Sequence, residues 1–122
     1  MNKKEVERLA EIYLDRTIDL LGESKYHIHT PYLSVEYSPN SEGIDNDWHG
    51  EYDDEENEII IYSKNITSKS DLAKTIVHEY THYLQSPAWM KRYYDMGYKY
   101  HNHPYEKQAF LMEDLNWYKV CK

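Results

Sequence analysis

A chain of 122 residues with a net charge of −8 and a pI near 5.3 has room for one domain with one modest core. The acidic balance excludes nucleic acid and anionic membrane as main partners, because both reward clustered Lys and Arg, and no run approaches the roughly eighteen apolar residues of a membrane span. Cys121 is the only cysteine, so no intrachain disulfide forms, which fits a reducing compartment.

Residues 3–21 place Val6, Leu9, Ala10, Tyr13 and Leu20 at helical spacing, and Gly22 supplies a stop, predicting a helix packed behind a sheet. Residues 1–16 alternate charged with apolar side chains and lack the apolar centre of a secretion signal. The chain is therefore expected in the cytoplasm, or in the host cytoplasm if a phage encodes it. After Pro31 the pattern shifts to alternation, with Tyr32, Leu33, Val35 and Tyr37 predicting a strand, and residues 38–43 read as a loop. Residues 48–52 and 58–62 form a predicted hairpin joined through residues 53–57. Ile59, Ile60, Ile61 and Tyr62 are the most β-prone run, which places that strand inside the sheet. Between Glu42 and Glu58 lie nine acidic residues and no Lys or Arg. Asp45, Asn46 and Asp47 lack the spacing of a calcium loop, so the segment reads as a solvated, charged hairpin.

Residues 71–86 project Leu72, Ala73, Ile76, Val77, Tyr80, Tyr83 and Leu84 onto one broad face and Asp71, Thr75, His78, His82, Gln85 and Ser86 onto the other. Ser68 and Asp71 have capping-box spacing and Pro87 forbids continuation, so start and stop signals bracket a helix. On its polar strip stands His78-Glu79-Tyr80-Thr81-His82, an HExxH run. Histidines four residues apart share a helical face, so both imidazoles reach one ion. Glu79, one residue on, stands beside that ion, where it can take a proton from water whose pKa zinc lowers to about 7. With 7 His in the chain, chance placement gives roughly 0.04 such runs, so the surrounding helix pattern carries part of the argument.

A catalytic zinc takes three protein ligands, and the downstream candidates are Asp95, His101, His103, Glu106, Glu113 and Asp114. Glu106 is the best of them for a local reason. Pro104 suits the first turn of a helix, which puts Glu106 in that turn, and the small Ala109 on the same side allows close approach to the HExxH helix. Residues 89–103 interleave Trp89, Tyr93, Tyr94, Tyr98 and Tyr100 with Lys91, Arg92 and Lys99. In so acidic a chain this predicts a connector walling one side of a cleft and not a single-strand nucleic-acid platform. Fourteen tyrosines against one phenylalanine let a small domain use one residue type for packing and for polar contact.

The run from Val77 to Gln85, followed by His103-Pro104-Tyr105-Glu106-Lys107-Gln108-Ala109, resembles the gluzincin metallopeptidases. It is most similar to their small single-domain members, the minigluzincins and the phage-type or ImmA/IrrE-like peptidases. The resemblance spans about residues 58–112. It implies an α+β minimal zincin-like domain over residues 1–122, with an N-terminal helix, a small twisted, mostly antiparallel sheet, an HExxH helix and a C-terminal glutamate helix. It further implies one zinc ion held by His78, His82 and Glu106, Glu79 as general base, a peptide or protein substrate, and a protein activator or inhibitor as a further partner. Larger members place an oxyanion donor well beyond the third ligand, and here that role stays open among Tyr93, Tyr94, Tyr98, Tyr100, Tyr105, His101 and His103. The alternative is a non-catalytic or latent zinc-binding interaction domain, such as a phage or prophage accessory protein.

Overall fold

A computed structural model describes residues 1–39 and 47–122, so Asp45 and Asn46 of the calcium question lie outside the described residues. Helix α1 (Lys3–Leu21) is followed by strands β1 (Tyr32–Glu36), β2 (Gly50–Asp53) and β3 (Glu58–Tyr62), then helices α2 (Lys69–Leu84), α3 (Pro87–Asp95) and α4 (Pro104–Val120). The class is α+β. Among the described residues no helix is long and apolar enough to cross a membrane.

The boundaries of α1 follow the residues that cap it. The Asn2 side chain accepts from the Glu5 N–H at 2.8 Å, and Gly22, at φ 80°, closes the last turn by donating to the Ile18 carbonyl. Its buried face consists of Val6, Leu9, Ala10, Tyr13, Leu14 and Thr17, whereas Leu20 is exposed, contrary to expectation. At the final turn Ile18 and Leu21 keep the packing against the core, and position 20 falls outside that contact.

The sheet order is β1-β3-β2, with the isoleucine strand in the centre as predicted. It is mixed, not mostly antiparallel: β2 and β3 form the expected hairpin, but β1 runs parallel to β3 with Tyr32 opposite Glu58. Ile59 and Ile61 on β3, flanked by Leu33 and Val35 on β1, face the apolar core that α1 and α2 complete. Gly50 is required at the start of β2. A β-carbon there would meet the Ile60 carbonyl oxygen at 2.8 Å and the Thr75 methyl at 3.0 Å, so only glycine lets this edge strand lie down on α2.

Helix α2 begins at Ser68, whose hydroxyl accepts from the Asp71 N–H at 3.1 Å, while the Asp71 carboxylate turns back to the Thr67 N–H instead of the Ser68 N–H. Leu72, Ala73, Ile76, Val77, Tyr80 and Tyr83 are fully buried. The two tyrosines illustrate how this chain uses the residue. Tyr80 donates to the Gly22 carbonyl, and the Tyr83 hydroxyl accepts from the Ser24 N–H, so each ring fills the core while its hydroxyl stays satisfied. The polar strip of α2 is not left to solvent. Helix α4 packs along it, burying Glu106, Ala109, Asn116 and Val120, and Thr75, His78 and Gln85 are buried beneath.

Candidate metal centre

A cleft of about 790 Å³ runs between β2, α2, α3 and α4, and its lining includes His78, Glu79, His82 and Glu106. Ligand atoms of His78, Glu79 and His82 all lie within 4.8 Å of one another, so this group could hold a metal ion. Helical periodicity brings the two imidazoles together, with ring centroids 5.0 Å apart.

Glu106 arrives from the first turn of α4, where Pro104 and the His103 cap fix the helix start. Its Oε1 stands 3.0 Å from Nε2 of His78 and 2.9 Å from Nε2 of His82. One carboxylate oxygen thus faces both imidazole nitrogens. Tetrahedral zinc with bonds near 2.0–2.1 Å separates its ligand atoms by about 3.3 Å, within a few tenths of an ångström of the two Nε2–Oε1 separations here. The donor chemistry and spacing fit a divalent cation such as zinc.

The rear nitrogens of both rings are also occupied. Nδ1 of His78 lies 3.1 Å from Oε1 of Glu113, two turns along α4 from Glu106 and therefore on the same face. Glu113 is thereby placed behind the first histidine, not among the direct ligands. Nδ1 of His82 lies 2.7 Å from Oε1 of Gln85. The Gln85 amide is oriented by its own donations, from Nε2 to the Tyr105 carbonyl at 3.0 Å and to Oε1 of Gln108 at 2.8 Å. A backbone carbonyl only accepts, so the amide nitrogen must face it and Oε1 must face His82. His82 therefore donates from Nδ1 to Gln85, so that Nε2, which faces Glu106, is the nitrogen left to a metal, the arrangement by which outer partners orient a ligating imidazole.

Without an ion, this grouping becomes a network of shared protons. Burial works to lower the His78 pKa, but hydrogen bonds to Glu106 and Glu113 and the nearby Glu79 charge overcome it and raise the value to about 10. His82 is raised for similar reasons, against its burial, chiefly by Glu106. Burial of Glu106 is likewise outweighed by its bonds to the two imidazoles, which bring its pKa down to about 2. Glu79 behaves differently: burial raises its pKa, only partly opposed by the histidine charges. It is 8% exposed and its carboxylate has no hydrogen-bond partner among the described residues. A carboxylate whose pKa burial raises, opening on the cleft beside a prospective metal, is suited to moving protons.

The remaining sequence candidates go elsewhere. Asp95 pairs with Lys91 on the surface, and His101 and Asp114 are exposed away from the cleft. His103 is fully buried as a staple: Nδ1 accepts from the Tyr105 N–H and Nε2 donates to the Met90 carbonyl, tying the start of α4 to α3. Gln85 and the placement of Glu113 are what sequence reasoning missed. The three-residue step from His82 to Gln85 and the seven-residue step from Glu106 to Glu113 were the available signals. No family model, curated protein or solved structure matches this chain.

Proposed function

We propose that this chain is a zinc-dependent peptidase of the gluzincin type, cleaving peptide bonds with water that Glu79 deprotonates. The observation that carries the reading is the convergence of two imidazole Nε2 atoms on one Glu106 oxygen, with the buried and unpartnered Glu79 beside them. His78, His82 and Glu106 would hold the ion. Zinc bound there would supply Lewis acidity, acidifying water and polarising a carbonyl.

Glu79 takes a proton from the attacking water as its oxygen bonds to the scissile carbon, then delivers that proton to the amine nitrogen as the C–N bond breaks. Its raised pKa suits both halves of this exchange. Glu113 and Gln85 keep the two imidazoles in the tautomer that leaves Nε2 available. Strand β2 is an edge strand and lines the cleft through Gly50, Glu51 and Tyr52, so an extended peptide can add to it through main-chain hydrogen bonds. A structural zinc site has no use for an unpaired buried base, which favours catalysis over a purely binding role.

The test uses zinc-loaded wild-type protein and Glu79→Gln with an unfolded protein substrate, with and without chelator. The expected result is chelator-sensitive cleavage by the wild type, and full zinc content without cleavage in the variant. Turnover retained by Glu79→Gln would remove Glu79 from the chemistry. A fully loaded wild type that cleaves nothing would leave a zinc-binding interaction domain.

A further inference from the structure

Glu106 reaches the two imidazoles from the first turn of α4, and the N–H groups of a first turn have no partners within their own helix. Pro104 stands at the first helical position and has no N–H, so the Tyr105 N–H is the first that needs an acceptor. It finds one in Nδ1 of His103, at 3.1 Å. The Tyr105 carbonyl, in the peptide link to Glu106, is held as well. Nε2 of Gln85 donates to it at 3.0 Å, and Oε1 of the same Gln85 meets Nδ1 of His82 at 2.7 Å. The backbone leading into Glu106 is thus gripped by its own cap and by the side chain that orients a histidine ligand.

The opposite edge of the His103 ring has a second task. Its Nε2 donates to the Met90 carbonyl at 3.0 Å, in the middle of α3. A carbonyl only accepts and Nδ1 is already an acceptor, so the ring proton sits on Nε2 and both nitrogens are used. The ring is fully buried, the Tyr94 ring packs on it with centroids 4.4 Å apart, and Met90 and Tyr94 line the cleft. No side chain of α3 is itself buried, so this wall depends on the His103 tie for its place. His103 does not line the cleft, and it acts through its neighbours.

We infer that His103 is a positioning residue of the metal centre, setting Glu106 through the cap of α4 and the α3 wall through Met90; this rests on the reading of Glu106 as third ligand and deepens it. Asparagine or serine would cap the helix equally well. Neither carries an acceptor and a donor on opposite edges of a rigid ring, which is what lets one side chain hold ligand and wall in a fixed relation. Because one Glu106 oxygen faces both Nε2 atoms, at 3.0 and 2.9 Å, a rotation of the first turn disturbs both contacts together.

The wild type, His103→Ala, His103→Asn and Glu106→Ala are compared by zinc affinity, by the visible absorption of the cobalt(II)-saturated proteins and by amide exchange. His103→Ala is expected to weaken zinc about 10- to 100-fold and to change the cobalt spectrum, which reports ligand geometry and not fold stability. His103→Asn restores an acceptor for the Tyr105 N–H but not the reach to Met90. It is expected to return the wild-type cobalt spectrum and zinc affinity to within about threefold, while amides of α3 exchange about tenfold faster than in the wild type. Wild-type affinity and spectrum in His103→Ala, a loss in His103→Asn as deep as in His103→Ala, or unchanged α3 exchange in His103→Asn each overturns the inference. If His103→Ala does not fold, His103→Asn decides by its spectrum and its exchange. Glu106→Ala separates the two levels of the reading. Loss of zinc there with wild-type affinity in both His103 variants overturns the role of His103 alone, whereas wild-type affinity in Glu106→Ala overturns the third ligand and this inference with it.

Discussion

Zinc must displace protons to enter this site, and the number follows from the structure. In the metal-free protein the carboxylates around His78 push its pKa up to about 10, which keeps that ring protonated at neutral pH, and the His82 pKa is raised as well. Taking the His78 proton off at pH 7 costs on the order of 4 kcal/mol, a factor of about a thousand in apparent affinity from that ring alone. Zinc association should therefore release at least the His78 proton, and the logarithm of the binding constant should climb between pH 6 and pH 8.5 with a slope of one or more. Competition with a chromophoric chelator across that range gives the slope, and calorimetry in buffers of different ionisation enthalpy counts the protons. A slope below about one half would mean neutral imidazoles in the metal-free protein and would refute the proton-sharing network. The same shifts fix how metal-free stability depends on pH. A raised His78 pKa contributes stability that is complete below its unfolded value of 6.5 and is lost as pH rises toward 10. The raised Glu79 acts in the same sense, while the lowered Glu106 contributes stability present above 4.5 and lost as pH falls toward 2. Chelator-treated protein should accordingly be most stable between about pH 4.5 and 6.5, as urea midpoints at several pH values will show.

Gln85→Leu strands the His82 Nδ1 proton and the Tyr105 carbonyl. It should weaken zinc about 10- to 100-fold and cost about 1–3 kcal/mol in urea unfolding, and unchanged zinc affinity would show that the tautomer needs no such lock. Gly50→Ala forces a methyl against the Ile60 carbonyl and Thr75, so the zinc-loaded variant should lose about 1–3 kcal/mol by the same measurement. A loss under about 0.5 kcal/mol would mean that β2 lifts off α2 freely.

The HExxH helix was legible because its evidence is local: apolar spacing, a serine cap and two histidines one turn apart. Glu106 was legible through Pro104, which marks a helix start from a single residue. The parallel pairing of β1 with β3 was not, because strand direction depends on where the chain returns after residues 38–49, and alternation reads alike in either direction. Leu20 misled because the last turn of α1 meets the core through Ile18 and Leu21, which leaves position 20 facing outward.

Helix α4 puts only two fully buried apolar side chains, Ala109 and Val120, into its contact with the rest of the domain. Its other buried groups are Glu106 and Asn116, and Arg16 of α1 holds its last turn through the Val120 carbonyl. Cohesion in this domain is accordingly uneven, with a greasy body made by α1, the sheet and α2, and one helix that adds the partly buried Met112 and Trp117 to that body and carries its ionic and polar ties on the same side. Such a helix should detach before the body melts, and amide exchange along residues 104–120 should quicken on chelation while Ile59, Ile61 and Val77 stay protected. Occupancy of the centre would then be reported by the looseness of a helix as much as by any reaction.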